Sequence, residues 1–183
     1  MALLLGACGD PGRPAPIVWI KDRPIADFTL TDQEGAAFHL SDHAGKVRLL
    51  YFGYTSCPDI CPTTMIDWSD TKRLLGDDAD GVSFIMVTVD PDVDTPAVMK
   101  RFVRHFDPAF IGLSGTEDEL QTVWDRFGVK VDEVKLSGSA PEHSISHSSA
   151  TYVVDGDGNL VMKFSFDAQP VDMARGIREL LTK

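Results

Sequence analysis

Two short runs constrain the fold most. Val47-Arg48-Leu49-Leu50-Tyr51-Phe52 and Val82 to Val89 are nearly continuous in apolar, β-branched and aromatic residues, the pattern of central strands covered on both faces. Each gives way to polar loop residues and then to a helical pattern, so parallel strands with helical crossovers are expected. The chain has 183 residues, 43% of them hydrophobic, enough to bury one core of ordinary domain size, expected over residues 17–183.

The remaining elements follow from period and punctuation. Met65, Trp68 and Leu75 recur at helical spacing after the first run, with Pro62 suited to the first helical position, where its missing N–H would have no partner in any case. After the second run, Thr95-Pro96 opens a helix whose Val98, Phe102, Val103 and Phe106 share a face and which ends near Asp107-Pro108. Thr116 and Glu119 have capping-box spacing ahead of Leu120, Val123, Trp124 and Phe127, with Gly128 as the stop. Thr151 to Val154 and Leu160 to Phe166 flank Asp155-Gly156-Asp157-Gly158-Asn159 and read as a hairpin. A last amphipathic helix carries Met173, Ile177, Leu180 and Leu181. Strand, helix, strand, helix, helix, hairpin, helix is the thioredoxin-like order. The fold class expected is therefore α/β, a central mixed sheet flanked by helices with an N-terminal extension. Lys130 to His147, rich in Ser, Gly and Pro, is the one long irregular stretch and is expected near the functional site.

Charge and hydropathy exclude some partners. A formal net charge of −11 repels nucleic acid at long range. No stretch approaches the roughly 18 apolar residues of a membrane-spanning helix. The start MALLLGA ends in Leu5-Gly6-Ala7-Cys8, which resembles the lipobox of bacterial lipoproteins. Residues 1–16 are expected to be a truncated signal with a Gly/Pro-rich tether, and Cys8 the lipid-bearing residue through which alone the domain meets a membrane.

The chemistry lies in YFGYTSCPDICPTTM, residues 51–65, where Cys57 and Cys61 each precede a proline. Following a buried strand and preceding a helix, their sulfurs belong at the strand's carboxyl end, beside N–H groups that favour thiolate. A proline after each cysteine disfavours helical angles, so a tight turn is expected. Cα atoms within about 7 Å permit either a disulfide or a shared metal ion, and spacing alone does not choose between them. Two buried structural cysteines are disfavoured by the flanking prolines in a polar loop. Structural zinc usually needs four Cys or His ligands, and there is no second cysteine pair. Cu(I) takes fewer, softer ligands, so two thiolates with one imidazole would form a site able to release its ion. His39, His43 and His105 lie in a hairpin-like segment, a turn and a helix end, where a solvated or satisfied ring is the default. His143 and His147 lie at the end of the long stretch, just before Thr151 to Val154, and in a thioredoxin-like fold that junction faces the cysteine turn.

Tyr54-Thr55-Ser56-Cys57-Pro58-Asp59-Ile60-Cys61-Pro62, Val89-Asp90-Pro91 followed by Asp94-Thr95-Pro96, and the distant His147-Ser148 together resemble the Sco/SenC family of copper chaperones for cytochrome c oxidase assembly, over roughly Ile25 to the C-terminus. The resemblance implies Cys57, Cys61 and His147 as copper ligands and Asp90 close enough to influence the site; His143 is a separate candidate for a second imidazole near it. It implies copper, as Cu(I) or Cu(II), as the cargo. Subunit II of cytochrome c oxidase is the implied recipient, another periplasmic copper chaperone a further partner, and the outer side of the bacterial inner membrane the location. Asp90 has an alternative reading, as the residue capping the turn into Pro91. A second function of another class uses the same thiols: a thiol-disulfide reductase, with Cys57 and Cys61 catalytic, that keeps the recipient's cysteines reduced. In ordinary thioredoxin-like reductases a cis-proline occupies the position that is Ser146-His147-Ser148 here. Peroxiredoxins set a Thr three residues before the reactive Cys, whereas Thr55 is two before Cys57.

Overall fold

The structure is a computed structural model that describes residues 16–135, 143–146 and 149–182. Strands β4 (Val47–Gly53) and β5 (Val82–Thr88) are buried at every residue and run parallel, Val47 beside Val82 and Gly53 beside Thr88. Burial on both faces is what their unbroken apolar sequence demands. Next to β5 lies the parallel strand β6 (Ile111–Ser114), then antiparallel β2 (Thr29–Asp32) and β3 (Ala37–His39). On the other side of β4 come antiparallel β9 (Thr151–Val154), β10 (Asn159–Phe164) and β1 (Ile17–Pro24). These eight strands form one mixed sheet.

Helices cover both faces. Neighbouring side chains of β4 point to opposite sides. Tyr51 packs edge-on against Trp68 of α1 (Ile60–Leu75), whereas Phe52 packs against Phe127 of α3 (Glu117–Phe127) and against Tyr152. Helix α2 (Pro96–Phe106) and α4 (Pro170–Leu181) both pack against α1. The capping box of Thr116 and Glu119 forms, Gly128 ends α3 at φ 67°, and Gly158 turns the β9–β10 hairpin at φ 94°. No helix among the described residues is long and apolar enough to cross a membrane.

Several elements differ from the sequence expectation. Strand β6 was not expected, because Gly112 at its centre reads as a breaker. Its missing side chain instead lets α2 lie close, since a Cβ there would stand 3.1 Å from Val103 and 3.2 Å from Met99. For the same reason α2 buries Met99 and Val103 fully and leaves Val98, Phe102 and Phe106 only partly covered. Of the N-terminal strands, β1 and β3 are the two edges of the sheet and β2 lies beside β3, and all three carry weaker periodicity. The stretch after Lys130 is not wholly irregular: β7 (Asp132–Lys135) and β8 (His143–Ser146) form a two-stranded antiparallel ladder, Lys135 opposite His143. Residues 1–15, with Cys8, lie outside the described residues.

Candidate metal and dithiol site

The site grows from the carboxyl end of β4. Val89 donates its N–H to the Gly53 carbonyl (2.9 Å), which holds the ends of β4 and β5 together, and the Cys57 N–H closes a turn onto Tyr54 (3.4 Å). Helix α1 then begins at Ile60, so Cys61 stands inside its first turn and Pro62 in third position rather than first. Both placements suit a proline, because the N–H groups of a helix's first turn lack intrahelical partners. Cys57 is thus in the expected non-helical turn and Cys61 is not. Cys61 heads the buried stripe Thr64, Met65, Trp68, Thr71 and Leu75, and burial of that stripe overrides the bias set by Pro62.

Asp59, the residue before the helix, makes no side-chain cap. The Cys57 sulfur serves instead, accepting the N–H of Cys61 at 3.4 Å. Partial burial alone would push the Cys57 thiol up, but the N–H groups of Asp59, Cys61 and Ile60 and the Cys61 thiol together hold it below its ordinary value. Cys61, fully buried, is pushed up to about 12 by burial, despite the Tyr51 hydroxyl that donates to its sulfur at 3.3 Å. The sulfur near the surface therefore gives up its proton more readily than an ordinary thiol, and its neighbour is held as thiol beneath it.

Gly53 makes room for this arrangement. A Cβ there would stand 2.5 Å from the Tyr51 ring and 3.0 Å from the Cys61 sulfur, both fixed in the core. Gly53→Ala is expected to destabilise the protein by about 1–3 kcal/mol through overpacking, read as a lowered midpoint in urea unfolding. An unchanged midpoint would show that the ring and sulfur can yield.

Asp90 is buried at the end of β5. Its N–H donates to the Thr88 hydroxyl (2.9 Å), and its backbone carbonyl, rather than its carboxylate, accepts from Val93 and Asp94 to close the turn at Pro91. Asp94 is a residue that the motif contained but sequence reasoning did not single out. Fully buried, its carboxylate accepts from the Thr55 N–H (3.1 Å), the Thr55 hydroxyl and the Thr88 hydroxyl (2.6 Å). The signal for it is its place in Asp90-Pro91 to Asp94-Thr95-Pro96, a motif of the resemblance in which Asp94 itself has no assigned role.

His143 lies on β8, and His147 lies outside the described residues. Among the described residues no group of three or more Cys, His, Asp or Glu is gathered to hold a metal ion; the two sulfurs are brought together. His39 and His43 are satisfied by Thr29 (2.9 Å) and Ser83 (2.8 Å), and His105 sits edge-on to Phe106.

Fold and turn define a thioredoxin-like dithiol domain with one sulfur near the surface and the other in the core. The SCO1/SenC family model matches residues 21–182, and the chain belongs to that family. It is 37% identical over 147 residues to an SCO2-like protein of Rickettsia felis, covering 80% of this chain and 72% of the relative. ScoI of Bradyrhizobium japonicum, solved with copper bound, is 36% identical and superposes with a TM-score of 0.78 over 87% of this chain and all of that one. BsSco, described with a disulfide switch as a member of the Sco family of cytochrome c oxidase assembly proteins, is 25% identical with a TM-score of 0.67, covering 88% of this chain and 95% of its own.

Proposed function

We propose that this protein is a copper metallochaperone that holds copper through Cys57, Cys61 and His147 and delivers it to the dinuclear copper centre of cytochrome c oxidase subunit II. The observation that carries the reading is the adjacency of two sulfurs, the Cys57 sulfur hydrogen-bonded to both the thiol and the backbone N–H of Cys61, in a chain whose relative ScoI was solved with copper bound. Thiolates select Cu(I), and a neutral imidazole completes a low-coordinate site. Binding displaces the Cys61 proton, so affinity falls as pH falls. Delivery proceeds by stepwise ligand exchange, with the half-exposed Cys57 meeting the recipient first. The domain faces the outer side of the bacterial inner membrane, tethered at Cys8, and draws its copper from another periplasmic chaperone.

Anaerobic titration of the reduced protein with Cu(I) and with Cu(II), repeated on His147→Ala, tests the site. One copper per chain, with affinity lowered by about tenfold or more in the variant, is the expected result. Stoichiometric binding indifferent to that substitution would sink the proposed ligand set.

The unequal thiols favour a second reading, a thiol-disulfide reductase acting on the recipient's cysteines. The Cys57 thiolate would attack a disulfide sulfur of the partner, releasing one partner thiolate and forming a mixed disulfide. Cys61, after losing its proton, would attack Cys57, releasing the second partner thiolate and leaving a Cys57–Cys61 disulfide. Two electrons pass to the partner, whose two thiolates take up protons. No detectable exchange with an oxidised subunit II fragment would leave metal delivery alone.

A further inference from the structure

Thr55 lies two residues before Cys57, on the segment leading from β4 into the cysteine turn. Its backbone N–H and its hydroxyl both donate to the Asp94 carboxylate. The same carboxylate accepts from Thr88, the last residue of β5, and Thr88 is anchored in turn, its carbonyl accepting from the Trp124 indole (3.2 Å) and its hydroxyl from the Asp90 N–H. The turn that follows β5 brings Asp94 back to this position, with the Asp94 N–H on the Asp90 carbonyl (2.9 Å). Burial of a carboxylate with no exposed surface pushes it above its ordinary value, and its hydrogen bonds offset part of that cost. Here those bonds go to the strand end and to the segment that carries Cys57.

We propose that Asp94 is a positioning residue, clamping Thr55 to the end of β5 and so fixing the Cys57 sulfur over the first turn of α1, where it meets Cys61. Asp94 touches neither sulfur in this arrangement; it acts through the backbone of Thr55. As a copper-site assignment this rests on the function proposed above, but the pairing of two thiols that it controls does not require copper.

The test uses the full chain with Asp94→Ala, Thr55→Val, which keeps the shape of Thr55 and removes its hydroxyl, and Thr55→Ser, which restores the hydroxyl. Leu180→Ala, in α4, serves as a control for general destabilisation. Two quantities are read on each: Cu(I) affinity against a competing chelator, and the equilibrium constant of the Cys57/Cys61 dithiol with oxidised glutathione. Expected is a fall of about tenfold or more in Cu(I) affinity for Asp94→Ala, the size seen when a group supporting a metal ligand is lost. A smaller fall is expected for Thr55→Val, and Thr55→Ser and the control should match the parent chain. The glutathione equilibrium should weaken in the same order, since a loosened turn lowers the effective concentration of one thiol at the other. Where Asp94→Ala does not fold, Thr55→Val decides. Both quantities unchanged in folded Thr55→Val and Asp94→Ala, or an equal loss in Leu180→Ala, would overturn the proposal. Failure of the parent chain to bind Cu(I) would overturn the copper reading, and the glutathione equilibrium would then decide the role of Asp94.

Discussion

Iodoacetamide at about pH 8 is expected to modify Cys57 about a hundredfold faster than Cys61. The Cys61 thiol is pushed up to about 12, so roughly one part in ten thousand is ionised at that pH, whereas Cys57 lies below its ordinary value and ionises far more readily. The more basic sulfur is intrinsically more nucleophilic, which returns about half of that difference on a logarithmic scale. Complete burial of Cys61 then acts against it again. Peptide mass spectrometry assigns the modified residue and separates either cysteine from Cys8. Raising the pH should bring the Cys57 rate to a plateau sooner than for an ordinary thiol, while the rate at Cys61, read in Cys57→Ser, keeps climbing toward about 12. Equal rates, or modification of Cys61 first, would show that the helix N–H groups do not govern this pair.

Trp68→Ala is expected to cost about 3–5 kcal/mol, the range for a fully buried large aromatic, and to lower the melting midpoint by about 6–20 °C in a chain of this length. The indole is fully buried, with ring centroids 6.3 Å from Tyr51, 5.5 Å from Phe84 and 5.8 Å from Phe110. Its N–H donates to the buried Thr151 hydroxyl at 3.2 Å, so truncation opens a cavity and removes that hydroxyl's donor as well. Trp68→Phe keeps most of the ring and loses the hydrogen bond, which should cost about 1–3 kcal/mol. Because Tyr51 leans on Trp68 and also donates to Cys61, the larger truncation should also quicken Cys61 alkylation. A melting midpoint within about 2 °C of the parent for Trp68→Ala would contradict this account of the core.

The legible parts of the sequence were those whose signals are local. The runs at β4 and β5 declared themselves because strands buried on both faces need no alternation, and Thr116 with Glu119 fixed the start of α3 because a capping box is closed within four residues. Ile111 to Ser114 escaped because the glycine that permits α2 to approach looks, without α2, like an interruption. The β7–β8 ladder escaped because its two short strands carry no clear alternation and their pairing across an intervening segment is set only by tertiary proximity. In the site, the cysteine pair and its place after a buried strand were visible in the chain. Asp94 was not singled out, because an aspartate between Asp90-Pro91 and Thr95-Pro96 looks like turn chemistry until Thr55 is seen against it.

By itself the sequence determined the family, the order of the main elements and the identity of the two thiols, because these depend on residue types and their spacing along the chain. Only the tertiary structure decided that the two thiols are unequal. Cys57 and Cys61 stand four positions apart with the same residue after each, yet one sulfur caps a helix while the other is sealed beneath Tyr51 in the core. That difference comes from the N–H groups at the start of α1 that face one sulfur and from the burial of the other in the core, and burial and hydrogen bonding of this kind exist only once the chain has folded around them.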